Sequence, residues 1–223
     1  MRLVTRHLSR PDGSPDATQA LALDLADVKV QRRLPEAASR LDGLLESWIT
    51  AAAQTFEIET TRQLITASWE LWVDCFPCVD RYLEIPKAPL VAVSSVLYDD
   101  ADGAEQTLST DDYTVIAPRG PYAAPGRIVL NDGVQWPTTA QREKSVRVQF
   151  TAGYGASHTQ IPQAIKAVLY LMVGTFHRYG ETVMSGPEAL NIQKVPLGAE
   201  AILRAFAGTA KPTQRLWEVP WQA

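Results

Sequence analysis

The chain has 223 residues, of which 46% are hydrophobic and 21% charged, and its formal net charge is −4. This composition predicts a soluble globular protein with one or two domains and a sizeable core. The acidic balance argues against sequence-independent binding of nucleic acid, which requires a clustered basic surface. No apolar run is long enough to span a bilayer, so no membrane association is expected.

The first quarter of the chain predicts an arm and two helices. Residues 1–17 are rich in proline and glycine, which predicts an extended N-terminal arm. Asp16 or Thr18 would cap a short first helix that ends before Pro35. A longer helix is predicted from about Pro35 to about Glu59, because apolar residues recur there at steps of three and four. Its expected apolar set is Leu41, Leu44, Leu45, Trp48, Ile49, Ala52, Ala53 and Phe56.

The middle of the chain, residues 64–159, predicts a β-rich insertion. From Leu64 the apolar period changes from about four to two, and β-branched and aromatic residues become frequent. Asp99 to Gly103 is the strongest turn signal and predicts a hairpin. Six or seven short strands in series predict a small antiparallel sandwich or barrel. The predicted strands are Trp69–Cys75, Tyr82–Ile85, Leu90–Tyr98, Gln106–Leu108, Tyr113–Ile116, Arg127–Leu130 and Ser145–Thr151.

The C-terminal part of the chain returns to helical periodicity. The Gly-Tyr-Gly sequence at 153–155 predicts a tight strand-to-helix turn that uses glycine at positive φ. A helix is predicted over 161–180, and its apolar stripe is expected to pack on the 35–59 helix. A short helix over Ala199–Phe206 and an irregular tail over 208–223 complete the chain.

These elements together predict an α+β fold. The N- and C-terminal helices, over 18–63 and 160–207, would form one helical bundle. The β-rich residues 64–159 would stand between them as an inserted domain. The arm at 1–17 and the tail at 208–223 would lie outside both.

The two cysteines, Cys75 and Cys78, form the most conspicuous chemical motif. A thiol oxidoreductase places the first cysteine at a helix N-terminus, whereas this pair follows a strand and precedes a segment that looks extended. A zinc site would need two more ligands nearby, and the histidines are His7, His158 and His177. With no export signal, two cysteines favour a reducing compartment without disulfides. Two ordinary thiols near a turn are therefore expected.

Other candidate residues also favour structural roles. His177 is expected to be solvated or to cap its helix, and His158 lies in a Ser/Thr-rich turn without an acid or nucleophile at a useful spacing. Asp99, Asp100 and Asp102 lack the glutamate that closes a calcium loop, which favours a hairpin turn. No serine-hydrolase elbow, phosphate-binding glycine loop or metalloprotease motif is present. We therefore predict no catalytic residue, no cofactor and no metal, and a protein that is not an enzyme.

A series of short motifs runs in order along residues 18–206. They are the helix through Ala51-Ala52-Ala53 to Glu59, Leu64-Ile65-Thr66, Trp69-Glu70-Leu71, Phe76-Pro77, Ile85-Pro86, Pro89-Leu90, the Tyr98–Gly103 hairpin with Glu105-Gln106, the Tyr113 strand, Trp136-Pro137, Val148 to Gly155, Ile161-Pro162 and Pro196-Leu197-Gly198. The ordered series resembles the head-to-tail connector (adaptor) proteins of long-tailed bacteriophages, which also occur in prophages and gene transfer agents. The first 17 residues and the tail after Phe206 look longer than the usual pattern, and Cys75 and Cys78 occupy variable positions.

The resemblance implies a structural virion component with a helical wedge and a β-rich insertion. Such proteins assemble as a ring, commonly of twelve copies, beneath the portal protein. The ring extends the DNA channel and offers a surface to stopper or tail-terminator proteins. The expected location is the neck between capsid and tail, after synthesis in the bacterial host cytoplasm. DNA would pass through the channel without specific binding, which an acidic chain allows.

The irregular tail is the predicted partner-binding segment. Trp217 and Trp221 cannot build a core locally, and buried aromatic residues commonly dominate the energy of an interface. We expect both tryptophans to anchor the subunit to the portal or a neighbouring subunit, with Arg215 as a polar clamp. The alternative is a tail that folds back on its own domain.

Two other classes of function stay open from the sequence. Arg2, Arg6 and Arg10 would suit a DNA-packaging or nucleic-acid-binding accessory factor, whose binding would weaken with salt. A thiol enzyme at Cys75 is the third class, and the extended context of the cysteines is unfavourable to it.

Overall fold

The structure, a computed structural model, describes residues 6–9, 20–35, 39–78, 80–180 and 204–206. Within these ranges the chain forms eight β-strands and three α-helices, with a further helical segment at 204–206, and it is α+β with two antiparallel sheets. The strands are β1 (Arg6–Ser9), β2 (Ala67–Val73), β3 (Tyr82–Ile85), β4 (Leu90–Asp99), β5 (Glu105–Thr107), β6 (Tyr113–Ile116), β7 (Gly126–Leu130) and β8 (Val146–Ala152); the helices are α1 (Leu25–Arg32), α2 (Asp42–Thr60) and α3 (Gln163–Gly180).

The larger sheet has five strands in the order β1-β2-β8-β4-β5, all antiparallel to their neighbours. In its centre Leu71 lies opposite Val148 and Trp69 opposite Phe150. Alternate residues of β8 are buried, as the period of two predicts. Strand β2 ends at Val73, before the predicted Cys75, and a bend follows at 74–75. In this bend the Asp74 carboxylate accepts a hydrogen bond from the Lys144 backbone N–H at 3.1 Å.

The smaller sheet has the order β3-β7-β6 and shares one hydrophobic core with the larger sheet. Leu83, Ile85 and Ile128 of the smaller sheet are buried in the same cluster as Val96 and Val148 of the larger. Residues 6–9, inside the range predicted as an extended arm, pair with β2 as the edge strand β1. The backbone there is extended, and the sheet holds it through main-chain hydrogen bonds.

Helix α1 begins later than predicted, because Asp24 caps it instead of Asp16 or Thr18. The Asp24 carboxylate accepts a hydrogen bond from the backbone N–H of Ala26 at 2.7 Å. The helix ends at Arg32, and the following residue takes the left-handed conformation with φ of 56°.

Helix α2 also begins later than predicted. A 3₁₀ turn over Ser39–Leu41 precedes its first residue, Asp42. The Asp42 carboxylate lies 2.6 Å from Lys29 of α1, and a carboxylate in the first turn also suits the helix dipole. Leu44 belongs to the predicted apolar set, yet it is 42% exposed, because the buried residues follow Leu45 and Ile49 on another side of the helix.

Helix α3 packs on α2, the partner that its apolar stripe predicts. Ile165, Val168 and Leu169 are completely buried. Tyr170 bonds to Asp27 of α1, and burial, followed by the charges of Asp27 and Asp24, raises the pKa of the Tyr170 hydroxyl. No helix of the described residues is long and apolar enough to cross a membrane.

The chain divides into two compact units. The β unit comprises β1 and the residues from Ile65 to Ala156. The helical unit comprises Ala20–Leu64 and the described residues from Ser157 onward. The helical unit is therefore built from two stretches of chain that are far apart in sequence.

Candidate interaction surfaces

The two cysteines lie in the bend that follows β2, and neither is at the N-terminus of a helix. Cys75 is half-buried and Cys78 is exposed. Between them, the buried Phe76 ring stacks on Trp136 with centroids 4.6 Å apart and planes inclined by 10°. The ring also meets Tyr98 edge-on, with centroids 5.7 Å apart. The segment is therefore anchored by an aromatic cluster, and it lacks the dipole that activates a redox thiol.

The histidines of the helical unit contact neighbouring side chains. His177 was predicted to be solvated or capping, but its ring stands edge-on to Trp48 of α2 with centroids 5.7 Å apart. Position 177 follows the buried Val173 by one turn, so it lies on the side of α3 that packs on α2. His158 lies in a 3₁₀ turn, with Nε2 3.7 Å from Asp24. Neither histidine is paired with a nucleophile in these contacts.

The acidic hairpin is held by Asp100. Its carboxylate accepts hydrogen bonds from the backbone N–H groups of Asp102 and Ala104 and from the Gln106 amide, at 2.9 to 3.0 Å. Asp99 instead forms an ion pair with Arg142. Among the described residues there is no cluster of three or more histidine, cysteine or acidic side chains that could hold a metal ion. The carboxylates of Asp99 and Asp100 therefore have structural roles in the described hairpin.

Asp100→Asn should weaken the fold at neutral pH and have little effect in acid. The Gln106 amide, followed by the Ala104 N–H, lowers the pKa of Asp100 below its usual 3.8. A lowered folded-state pKa gives stability that is present above the unfolded-state pKa and is lost as pH falls through the folded-state pKa. Urea unfolding at about pH 6 and about pH 2 should therefore show a difference between wild type and variant only at the higher pH.

Asp102→Asn is the matched control, because it removes a charge from the same turn while leaving the Asp100 carboxylate in place. Its unfolding midpoint should follow wild type at both pH values. An Asp100→Asn deficit that persists unchanged in acid would show that the ionised carboxylate is not the stabilising group.

The face of the larger sheet opposite its apolar core carries a chain of polar contacts across three strands, and its Glu70 is buried. The Gln149 amide donates to Glu70 on β2 at 2.8 Å, and the Ser95 hydroxyl of β4 donates to the Gln149 carbonyl at 2.9 Å. In the next row the Arg147 guanidinium lies 5.2 Å from the Trp72 ring centroid and donates to Glu105 at 2.9 Å. We call these residues the polar sheet face.

The polar sheet face suits a rigid contact surface better than a catalytic site. Its side chains are fixed by one another, and it contains no nucleophile next to a base. Arg147 is outnumbered by two carboxylates, those of Glu70 and Glu105, so the face does not attract the phosphate backbone. Alternation along β8 predicts that Arg147 and Gln149 share one face, but their partners depend on strand order.

A buried polar cluster in the helical unit was not anticipated from the sequence. Glu57 of α2 accepts hydrogen bonds from the Gln63 amide at 2.9 Å and the Leu64 N–H at 2.7 Å. The fully buried Arg62 has its guanidinium 5.4 Å from the Phe206 ring centroid. The cluster fixes the chain where it leaves α2. The only sequence signal was a group of polar residues at a predicted helix end, which ordinarily indicates solvation.

The predicted partner-binding residues Arg215, Trp217 and Trp221 lie outside the described residues, as do Ile202 and Leu203 of the predicted last helix. Phe206, the end of that predicted helix, is described as helical and fully buried. It meets Phe56 of α2 edge-on, with centroids 5.8 Å apart. The C-terminal stretch therefore returns to the helical unit at this residue.

No protein-family model and no curated protein sequence matches this chain. Solved structures do match. A chain from the neck of an empty gene transfer agent (GTA) particle, computed with C6 symmetry, has a TM-score of 0.67 and 21% identity, over 90% of this chain and 94% of that one. A chain from the virion of a native GTA particle has a TM-score of 0.64 and 20% identity, over 92% and 95%.

A third match comes from the neck of a native GTA particle computed with C12 symmetry. Its TM-score is 0.59 and its identity 22%, over 85% of this chain and 93% of that one. At this identity the matches establish a shared fold. Because the matches cover most of this chain and of each matched chain, the shared fold includes both the helical unit and the β unit.

Proposed function

We propose that this chain is a structural protein of the neck of a tailed phage or phage-like particle, where it acts as the head-to-tail adaptor. The observation that carries the proposal is the fold match over 90% of this chain and 94% of a GTA neck chain. The ordered motifs of the sequence favour the same class. In this role the protein needs no catalytic residue, metal or cofactor.

In the proposed particle the chain forms a ring of twelve copies beneath the portal protein. The ring extends the DNA channel and offers a docking surface to the stopper or tail-terminator proteins. C6 and C12 symmetry of the similar necks supports a cyclic arrangement. The helices before and after the β unit would form the bundle that builds the ring wall. DNA would slide through without specific binding, which agrees with a net charge of −4.

Electron microscopy of the purified protein with and without its cognate portal tests this function. We expect a ring at the narrow end of the portal. Protein that stays monomeric and never binds portal would contradict the adaptor role. Salt-sensitive binding to DNA by the isolated protein would favour the nucleic-acid-binding alternative instead.

The tail provides a second, residue-level test. We propose that Trp217 and Trp221 anchor the subunit to the portal or a neighbouring subunit, assisted by Arg215. Deleting residues 211–223 should reduce portal association at least about thirtyfold, because even one aromatic hot spot commonly contributes about 2 kcal/mol or more. Pull-down with purified portal measures the loss.

The double variant Trp217→Ala, Trp221→Ala keeps the tail and removes only the two proposed anchors, so it tests them more specifically than the deletion does. Lys211→Ala is its control in the same segment. Portal binding that is unchanged in the double variant would mean that the tryptophans contact their own domain or nothing at all.

A further inference from the structure

Helix α2 has a second face that the described residues of the helical unit leave open. Leu44, Ser47, Ala51, Gln54 and Ile58 follow one another at steps of three and four, the spacing of a coiled-coil seam. We call them the α2 stripe. Leu44 is 42% and Ile58 73% exposed. The Ser47 hydroxyl donates to the Gly43 carbonyl at 2.8 Å, so its hydrogen bond is made within the helix and need not be broken for a partner to dock.

Helix α3 carries a matching stripe on its outer side. Ala164, Ala167, Leu171 and Arg178 stand at the first, fourth, eighth and fifteenth positions of the same spacing. All four are exposed, Leu171 by 45%. We call them the α3 stripe. Gly174, at the eleventh position, is half-buried against the Arg32 guanidinium of α1, so the stripe includes that side chain. The two alanines allow another helix to approach closely, and both stripes extend over 15 residues, a rise of about 21 Å along the helix.

The two helices carry opposite charges. Helix α2 contains Asp42 and three glutamates but no lysine or arginine. Helix α3 contains Lys166 and Arg178 but no acidic residue, and its His177 packs against Trp48 of α2 within the same copy. On α2, Asp42 is already bound to Lys29, which leaves the exposed Glu46 and Glu59 to give its surface a negative field. The α2 surface is therefore electrostatically complementary to the α3 surface.

The α2 stripe and the α3 stripe of one copy cannot pack on each other, because α2 and α3 already pack through their buried faces. A second copy of the chain offers both stripes in the required form. We propose that the α2 stripe of one copy packs on the α3 stripe of the next copy. Such a head-to-tail contact uses two different patches, so it repeats until a ring closes. The inference rests on the proposed ring and identifies the surfaces that build it.

The test damages one stripe at a time in the full chain. Ile58→Lys places a charge on the α2 stripe, and Leu171→Glu places one on the α3 stripe. Each should weaken self-association at least about a hundredfold in sedimentation velocity, because a charge would be buried without a partner. Val30→Lys is the control: Val30 of α1 is 77% exposed and lies on neither stripe, so its variant should assemble like wild type. Circular dichroism and unfolding midpoints establish that all three variants fold.

Mixing distinguishes this contact from a symmetric one. Ile58→Lys keeps its α3 stripe and Leu171→Glu keeps its α2 stripe, so an equimolar mixture should form a dimer of unlike copies and nothing larger. If α2 stripes paired with each other, Leu171→Glu alone would assemble like wild type, which would overturn the proposal.

Imaging the same variants with portal separates the two levels of inference. If wild type and both stripe variants all form intact rings, the stripe contact is overturned but the adaptor function is not contradicted. Wild type that forms no ring, in solution or on portal, would contradict the adaptor function and the stripe contact together. Wild-type rings with incomplete or absent rings of both stripe variants, but not of Val30→Lys, support both.

Discussion

Gly153→Ala is expected to destabilise the β unit by about 3 kcal/mol or more, from backbone strain and overpacking together. Gly153 has φ of 142°, which L-residues rarely adopt. A Cβ built there would lie 2.4 Å from Cα and 2.6 Å from N of Thr66. These are backbone atoms of a segment tied down by the hydrogen bond from the Thr66 N–H to the Gly155 carbonyl, at 2.8 Å. The clash therefore cannot be relieved by rotating a side chain.

Gly120→Ala is the matched control in the same unit. Its φ is 114°, and nothing lies within 4 Å of its added Cβ, so only the conformational cost of about 1 to 2 kcal/mol should appear. Urea unfolding gives both values, and hydrogen exchange of peptides from the two units shows where the loss occurs. Equal destabilisation by the two variants would show that the turn at Gly153 can relax around a Cβ.

This glycine also illustrates what the sequence could predict. The Gly-Tyr-Gly sequence predicts a tight strand-to-helix turn with glycine at positive φ, and Gly153 has a positive φ. The predicted tight turn is wrong, because residues 153–162, with a 3₁₀ turn over His158–Gln160, separate β8 from α3. What the sequence could not reveal is the neighbour, because Thr66 is far away along the chain. The alternation of buried residues along β8 was predictable for the same reason that helix stripes are, since one face of the strand must be buried. In β2 the pattern is broken, because Glu70 is buried beside Leu71.

Features that depend on competition between nearby groups were harder to predict. Asp, Thr and Asn are all common helix caps, and the sequence offers Asp16, Thr18 and Asp24. The sequence alone does not show that Asp24 is the one at the helix start. Leu44 fits the apolar period of α2 but lies outside its buried arc. The apolar period does not distinguish residues buried within the chain from apolar residues that stay exposed. The exposed ones are available to pack on a partner helix or a second copy.

The candidate surfaces were less predictable than the fold. The outward direction of Arg147 and Gln149 follows from alternation, whereas the contacts with Glu70 and Ser95 require the order β2-β8-β4. Strand order is a property of distant pairings that a single sequence does not encode locally. The role of Arg62 was not predictable either, because the ring it contacts, Phe206, is far away along the chain.

Phe56→Ala should destabilise the helical unit by about 3 to 5 kcal/mol. Phe56 is fully buried, and removal of its ring leaves a cavity that the surrounding helices cannot fill without moving. Val30→Ala is the control, because it truncates an apolar side chain of the same unit that is 77% exposed, and its effect should stay within about 0.5 kcal/mol. Unfolding monitored by circular dichroism gives both values.

A double-mutant cycle with Phe206→Ala tests whether the C-terminal stretch docks on α2 in solution. The two rings meet edge-on with centroids 5.8 Å apart, and such pairs contribute about 0.5 to 1.5 kcal/mol beyond the area they bury. The double variant should therefore lose less stability than the sum of the single variants. Strict additivity would mean that residue 206 leaves α2 in solution. A positive coupling would instead show that Phe206 stays on α2 in solution. Any anchor at Trp217 or Trp221 would then have to reach the portal or the neighbouring subunit from that position.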